Sequence, residues 1–328
     1  MKPQRLIAVL EKLLTQRWPA FVWGPPGVGK SAIVRHVAGR ADLPVIDLRA
    51  SLLDPTDLRG IPTIADGRAV WLPPSFLPRA EDKPGVLFLD EINAAPALVQ
   101  ASLYQLVLDR RVGEYVLPPG WWIVAAGNRQ QDRAVTFRMS SALANRFVHV
   151  TLEPHVDDWR DWAIAAGLDP LVVSFIGFRP ELLSQQPGQE AAFATPRSWE
   201  MLSDVLKSFG AVDACRDLVA GIVGEGPGRE FLRFAGDATI MDMIGRIVSD
   251  PSGAELPDTL DRIYVLTSWL ALNAGREDVV AAAAALLGRL PPEFAVVLAR
   301  DMLRAHPKFA RNPRYREFLK AHGHLISG

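Results

Sequence analysis

The sequence is poor in cysteine and has no long apolar run. Its 328 residues include a single cysteine, Cys215, which excludes a disulfide framework and a cysteine-rich metal site. The longest apolar run, near Val279, is too short to cross a bilayer. Near the N-terminus, Glu11, Lys12 and Arg17 interrupt any core of a signal peptide. We therefore expect a cytoplasmic protein without membrane insertion.

Neither sign of charge is in excess. Lysine and arginine together number 36, aspartate and glutamate 37, and the formal net charge is −1. This balance provides no overall positive field for holding a nucleic-acid backbone, so a nucleic-acid partner is disfavoured. With 49% hydrophobic residues, the chain is expected to form two globular domains, or one domain with a substantial lobe.

The N-terminal half alternates short apolar runs with helical stretches. Continuous apolar strands that alternate with helices are typical of a parallel sheet covered on both faces. We expect strands at "AFVWG" (from Ala20), "PVIDL" (from Pro44), "GVLFLD" (from Gly85), "WWIVAAGN" (from Trp121) and "FVHVTL" (from Phe147). The predicted fold class of this part is an α/β, αβα sandwich.

After Pro154 the strand signal ends and helical periodicity dominates. A break between Gly236 and Met241 divides the helical stretches into two groups. The predicted domains are therefore an αβα core over residues 1–153, a helical region over 154–236 and a helical C-terminal extension over 237–328.

The stretch "GPPGVGKS" fits the pattern G-x-x-x-x-G-K-[S/T] between an apolar strand and a helix. Glycines let backbone N–H groups turn inward around phosphate oxygens, and the helix that follows directs its positive end to the same place. The lysine is expected to reach the β- and γ-phosphates, and the serine hydroxyl to ligate Mg²⁺. The predicted nucleotide-binding residues are Gly24, Pro25, Pro26, Gly27, Val28, Gly29, Lys30 and Ser31.

The stretch "VLFLDEIN" supplies carboxylates at the end of a buried strand, where ligands bind in open α/β sheets. Asp90 is expected to join Ser31 in holding Mg²⁺, and Glu91 to orient or deprotonate the attacking water. Asn128, at the end of "WWIVAAGN", is expected to position the same water. A guanine-reading N-K-x-D motif does not follow Asn128, which favours ATP over GTP.

The motifs "GPPGVGKS", "FLDEIN", "AAGN", "SALANRF" and "ATPRSWE", in this order, resemble an AAA+ ATPase, a P-loop NTPase, and specifically the MoxR-like branch and its near relatives. The resemblance covers about residues 6–197. It implies that the 154–236 region is the all-α lid of such an enzyme. It also implies a ring, usually a hexamer, that hydrolyses ATP to ADP and phosphate.

By the same resemblance, Asn128 matches the sensor-1 residue, Arg146 the arginine finger and Arg197 the sensor-2 arginine of the lid. The finger stabilises charge on the phosphoryl group bound by the adjacent subunit. The family commonly has an acid where this chain has Asn145. The alternative finger residues are Arg133 and Arg138.

Two insertions also fit the branch. The first, from Leu52 to Pro78, lies where the family has an insert that moves with nucleotide state. The second, "RRVGEYVLPPG", resembles the hairpin that precedes sensor 1, with Tyr115 as a candidate contact for a partner or simply part of a surface hairpin. The segment from Arg304 to Lys320 is basic with interleaved aromatics, which is compatible with RNA, an acidic partner or, as the simpler interpretation, a solvated helical face.

The leading functional hypothesis is a chaperone-type ATPase ring that remodels or activates a protein partner. The resemblance implies that this partner is a separate protein with a von Willebrand factor A domain. The alternatives are a motor or loader that acts on nucleic acid, and a nucleotide-gated scaffold with little hydrolysis.

Overall fold

The computed structural model of the chain describes residues 1–129, 132, 139, 141–186, 188, 190–236 and 238–322. It divides into two compact units, Met1–Pro154 and His155–Gly328. This division falls beside residue 153, where the sequence analysis ended the first domain. The further boundary at residue 236 stays a prediction. Among the described residues, no helix has both the length and the apolar character needed to cross a membrane.

The described residues of the first unit form a five-stranded parallel sheet and two short antiparallel hairpins. Its strands are β1 (Ala20–Trp23), β2 (Val45–Arg49), β3 (Ile61–Ala65), β4 (Arg68–Leu72), β5 (Val86–Asp90), β6 (Arg111–Val112), β7 (Tyr115–Val116), β8 (Trp122–Gly127) and β9 (Val148–Thr151). The order in the sheet is β2-β5-β8-β1-β9. All five strands that the apolar runs predicted are therefore present.

Helices cover both faces of this sheet, as continuous burial of its central strands requires. The helices of the unit are α1 (Pro3–Gln16), α2 (Lys30–Arg40), α3 (Pro55–Arg59), α4 (Ala97–Asp109) and α5 (Ser141–Ala144). On one face, Leu6 and Val34 of α1 and α2 pack against Val22 and Phe88. On the other, α4 and α5 pack against side chains such as Phe21, Leu87 and Ile123. The predicted αβα sandwich is confirmed.

The carboxyl ends of the central strands meet at one edge of the sheet. Trp23 of β1 is level with Gly127 of β8, and Leu89 of β5 is level with Ala125. The residues that follow these strands therefore lie side by side, at the point where an open parallel sheet binds its ligands.

The insertion between β2 and β5 folds into the hairpin β3–β4, which the sequence analysis did not predict as strands. Its turn is Asp66–Gly67, with φ values of 52° and 72°. Positive φ at both central residues is the geometry of a two-residue hairpin turn whose twist matches the strands. Asp-Gly between two β-rich runs was thus an available signal.

The second unit is all-helical, as predicted. Its helices are α6 (Val156–Ala165), α7 (Pro170–Phe178), α8 (Pro196–Phe209), α9 (Val219–Val223), α10 (Glu225–Ala235), α11 (Ala238–Ser249), α12 (Leu260–Leu272), α13 (Glu277–Leu286), α14 (Pro292–Ala305) and α15 (Pro313–His322). One hydrophobic core joins helices on both sides of residue 236, from Trp159 to Phe318.

Candidate active site

The loop Gly24–Gly29 connects β1 to α2 and has the shape of a phosphate cradle. Gly27 has a φ of 72°, and Gly29, at the N-cap of α2, has a φ of 100°. A side chain at Gly24 would meet the carbonyl oxygen of Leu152 at 2.9 Å. These glycines therefore meet steric needs of the loop, and the N-terminus of α2 faces the space that a phosphate would occupy.

Lys30 is buried at this loop, with 9% of its surface exposed. Its Nζ donates to the carbonyl oxygens of Gly24 at 2.7 Å and Pro25 at 3.0 Å, and to Asn128 Oδ1 at 2.8 Å. The ammonium group thus links the loop after β1 to the residue after β8. Lys30, predicted to bind the β- and γ-phosphates, and Asn128, predicted to position the attacking water, are in direct contact.

Ser31 and Asp90 form the second contact of the site. The Ser31 hydroxyl donates to Asp90 Oδ2 at 3.1 Å. Adjacent oxygens around an octahedral Mg²⁺ lie about 3 Å apart, since each is about 2.0–2.1 Å from the ion. The two residues therefore fit a shared magnesium ion, with oxygen ligands of the type that it prefers.

Glu91 follows Asp90 in a left-handed backbone conformation, with a φ of 55°. Its Oε2 accepts a hydrogen bond of 2.5 Å from the hydroxyl of Ser51. Sequence reasoning missed Ser51. The signal lies in the strand register, because Arg49 of β2 pairs with Asp90 of β5 and brings the residues after both strands together.

Asn93 forms a hydrogen bond to the backbone of Asn128, and the sequence analysis did not identify it as a residue of the site. Its Nδ2 donates to the backbone carbonyl of Asn128 at 2.7 Å, while the side chain is 3% exposed. Asn93 Oδ1 has no hydrogen-bond partner among the residues that the structure describes. Arg129, next to Asn128, forms an ion pair with the buried Asp132. The hydrogen bond between these two side chains raises the pKa of Arg129.

Arg146 lies just beyond α5 in the first unit. Its side chain is exposed, and its guanidinium has no ion pair or hydrogen bond to the described part of the chain. The alternative finger residues Arg133 and Arg138 lie outside the described residues. The finger role of Arg146 stays a prediction.

Arg197 lies in the second unit, as the second residue of α8 after the N-cap Thr195. It is exposed. A cation at a helix N-terminus is unfavourable by about 0.3–1 kcal/mol because the helix dipole is positive there. The sensor-2 role of Arg197 stays a prediction.

The two hairpins of the first unit are joined to each other. Trp71 N donates to Glu114 Oε2 at 3.1 Å, and the guanidinium carbon of Arg59 lies 4.7 Å from the Trp71 ring. The Tyr115 hydroxyl donates to the Pro78 carbonyl at 2.8 Å, and burial raises the pKa of this phenol. Tyr115, which was a candidate partner contact, is thus engaged within the chain.

Cys215, His155 and the aromatics of the Arg304–Lys320 segment have structural roles. Cys215 is buried in the helical core, where burial raises the pKa of its thiol. His155 caps α6 by accepting from Asp158 N. The tail aromatics are buried, with exposures of 1% for Phe309 and 6% each for Tyr315 and Phe318, so they do not offer rings for stacking on bases.

The comparisons with known proteins address the same segment. Residues 19–147 match the family described as AAA domain (dynein-related subfamily). The denitrification regulatory protein NirQ of Stutzerimonas stutzeri is 32% identical over 130 residues, which are 36% of this chain and 47% of NirQ. Protein NorQ of Paracoccus denitrificans is also 32% identical over 130 residues, 37% of this chain and 48% of NorQ. The chain thus spans about half the length of these relatives.

Similar solved structures include NtrX from Brucella abortus in complex with ATP, at 15% identity and a TM-score of 0.42, covering 98% of this chain and 68% of NtrX. The Thermotoga maritima RuvB Holliday junction branch migration motor has 16% identity and a TM-score of 0.39, covering 88% of this chain and 86% of RuvB. These scores are low, so the assignment relies on the matched sequence family, the strand order and the loop. On those grounds, residues 19–147 form an AAA domain that is similar to the matching segments of NirQ and NorQ.

Proposed function

We propose that the protein hydrolyses ATP in a ring of six identical subunits and uses the energy to remodel or activate a protein partner. The observation that carries the proposal is the pair of contacts Lys30–Asn128 and Ser31–Asp90. They join the phosphate loop to the ends of two neighbouring strands. The match of residues 19–147 to AAA domains supports ATP as the nucleotide.

Each residue has a distinct task in the proposed reaction. The backbone N–H groups of Gly27 and Gly29 and the ammonium of Lys30 bind phosphate oxygens and spread their charge. Glu91 accepts a proton from the attacking water, or orients it, while Asn128 holds the same water in line. The Ser51 hydrogen bond fixes which way the Glu91 carboxylate points before nucleotide arrives.

The proposed site includes Mg²⁺, which would neutralise negative charge on the β- and γ-phosphates. Ser31 and Asp90 would hold it, since their oxygens already lie at the spacing of adjacent ligands. The remaining positions would be filled by water and phosphate oxygens, as is usual for this ion.

The ring proposal depends on Arg146 and Arg197. Arg146 is exposed and without a partner in the described chain, which suits a guanidinium that acts on the nucleotide of a neighbouring subunit. Arg197 would sense the γ-phosphate and change the angle of the helical unit as a closure switch. Both roles follow from the family resemblance.

The partner is proposed to be a protein. NirQ carries the description denitrification regulatory protein, which supports a regulatory or activating role for this chain. A separate von Willebrand factor A domain protein in the cytoplasm is the proposed partner. A nucleic-acid motor has less support, because the net charge is −1 and the tail aromatics are buried.

The proposal is tested by steady-state ATP turnover per subunit as protein concentration rises. We expect a steep rise to a plateau, because a neighbouring subunit completes each active site. Lys30→Ala defines the background rate, and light scattering on the same samples reports assembly. An active monomer would refute the ring, and tight ATP binding with turnover at the Lys30→Ala level would favour a nucleotide-gated scaffold.

A second expected result concerns Ser51. Ser51→Ala should lower kcat about tenfold with little change in KM, because a hydrogen bond to a charged group contributes about 1.5–3 kcal/mol and here orients Glu91. Ser51→Thr retains a hydroxyl and serves as the matched control. Equal loss in both variants would show that the position matters for packing rather than for hydrogen bonding.

A further inference from the structure

His149 of β9 forms hydrogen bonds on both sides of its ring. Its Nδ1 accepts from the indole Nε1 of Trp23 at 2.9 Å, and its Nε2 lies 2.7 Å from the carbonyl oxygen of Ala144. Trp23 is the last residue of β1, directly before Gly24 of the phosphate loop. Ala144 is the last residue of α5, two positions before Arg146. The imidazole thus spans from the phosphate-loop strand to the segment that carries Arg146.

The two hydrogen bonds determine the tautomer of the His149 imidazole. An indole nitrogen can only donate, so Nδ1 of His149 must accept, and a carbonyl can only accept, so Nε2 must carry the proton. Neutral imidazole with the proton on Nε2 satisfies both partners at once. The imidazole plane lies at 19° to the Trp23 indole, with centroids 6.0 Å apart, so the two rings are nearly coplanar about this hydrogen bond.

The helix that receives this hydrogen bond has little means of fixing its own direction. α5 has four residues, and a helix of about one turn is not stable by itself. Leu143 anchors it in the core with 1% exposure, which leaves rotation about that anchor to be restrained by other contacts. The Ala144 carbonyl, a C-terminal group of this helix, accepts from Phe147 N at 3.3 Å, and His149 Nε2 is a second and closer partner at 2.7 Å.

We propose that His149 is a positioning residue for Arg146: its imidazole connects Trp23 to Ala144 and so sets the direction in which α5 presents the guanidinium. This inference rests on the proposed function, in which Arg146 acts on the nucleotide of a neighbouring subunit. Within one subunit, His149 would connect the strand that ends at the phosphate loop to Arg146, the arginine that acts on the nucleotide of the neighbouring subunit.

Two variants of His149 distinguish its hydrogen bond with Trp23 from its hydrogen bond with Ala144. The amide nitrogen of His149→Gln can occupy the place of Nε2 and donate to Ala144, whereas the amide oxygen of His149→Asn can occupy the place of Nδ1 and accept from Trp23. We expect His149→Asn to lower ATP turnover about tenfold and His149→Gln to remain within about threefold of the unmodified protein. His149 is exposed, so neither change leaves a cavity in the core.

The decisive experiment mixes His149→Asn subunits with an excess of Lys30→Ala subunits. The latter cannot turn over ATP but carry an intact Trp23, His149 and Arg146. If His149 acts through Arg146 in the neighbour, turnover per His149→Asn subunit returns to near the unmodified rate. If turnover stays about tenfold low, the defect lies in the subunit's own nucleotide site, and the inference is overturned.

A second mixture combines Arg146→Ala subunits with the same excess of Lys30→Ala subunits. It tests the proposed role of Arg146 separately from the role of His149. Rescue of Arg146→Ala without rescue of His149→Asn rejects only the role of His149. Failure to rescue Arg146→Ala rejects the arginine finger in trans. Trp23→Phe keeps an aromatic ring but removes the indole N–H, so it provides a second variant if His149→Asn does not fold. We expect about a threefold loss that the same mixture rescues, and a loss that persists in the mixture counts against the inference.

Discussion

Glu91→Gln is expected to lower kcat for ATP hydrolysis about 10³-fold, within the range of about 10²–10⁴ for general acid–base catalysis. The amide has nearly the same size as the carboxylate, so the Ser51 hydroxyl still has an oxygen to donate to. The amide cannot take up the proton of the attacking water. Nucleotide binding should persist, because Lys30, Ser31 and Asp90 are untouched.

Two measurements check this expectation: steady-state phosphate release and equilibrium binding of a fluorescent ATP analogue. Glu114→Gln is the matched control, since Glu114 lies in the same unit and its replacement can still accept from Trp71 N. A loss of nucleotide affinity parallel to the loss of turnover would assign Glu91 to binding instead of catalysis. Unchanged turnover would remove it from the mechanism.

Asp301→Ala is expected to destabilise the helical unit by about 3–5 kcal/mol. Asp301 is fully buried in α14, and its Oδ2 lies 3.3 Å from the guanidinium of Arg160, which is 3% exposed. Ser268 accepts a second hydrogen bond from Arg160. Removal of the carboxylate leaves a buried cation without its counter-charge, which costs far more than the loss of an exposed pair.

Chemical denaturation followed by far-ultraviolet circular dichroism measures this loss. Arg276→Ala is the control, because its ion pair with Asp278 is about half exposed, at 56% and 51%, and should contribute little to stability. Asp301→Asn retains an oxygen for Arg160 and should fall between the two. A similar shift for Asp301→Ala and Arg276→Ala would mean that water or rearrangement neutralises the buried charge.

The sheet and the phosphate loop were predictable because their signals are local. A strand covered on both faces must be apolar along its length, as in β5 and β8, and the loop glycines meet a steric need of a few consecutive residues. The hairpin β3–β4 was missed although Asp66–Gly67 is a strong turn signal. Its strands are largely exposed and lack the apolar pattern that marked the others.

Ser51, Asn93 and His149 were not predictable as members of the site, because their contacts depend on the strand order. Ser51 reaches Glu91 only since β2 lies next to β5, and His149 reaches Trp23 only since β9 lies next to β1. Serine, asparagine and histidine in such places have no local pattern that distinguishes them from surface residues. Local sequence patterns therefore predict candidate nucleotide contacts, whereas the hydrogen bonds of Ser51, Asn93 and His149 become visible only in the packed structure.

The position of Lys30 has a consequence for how a nucleotide would bind. With its ammonium bound to the carbonyls of Gly24 and Pro25 and to the amide of Asn128, the chain supplies its own acceptors where phosphate would otherwise be needed. Arrival of a nucleotide is then an exchange of partners within a formed cradle, not the ordering of a loose segment. Such an exchange buries little new apolar surface within the loop, so the loop itself should add little to the heat-capacity change of binding. It would also release the side chain of Asn128, which in the proposed reaction positions the attacking water.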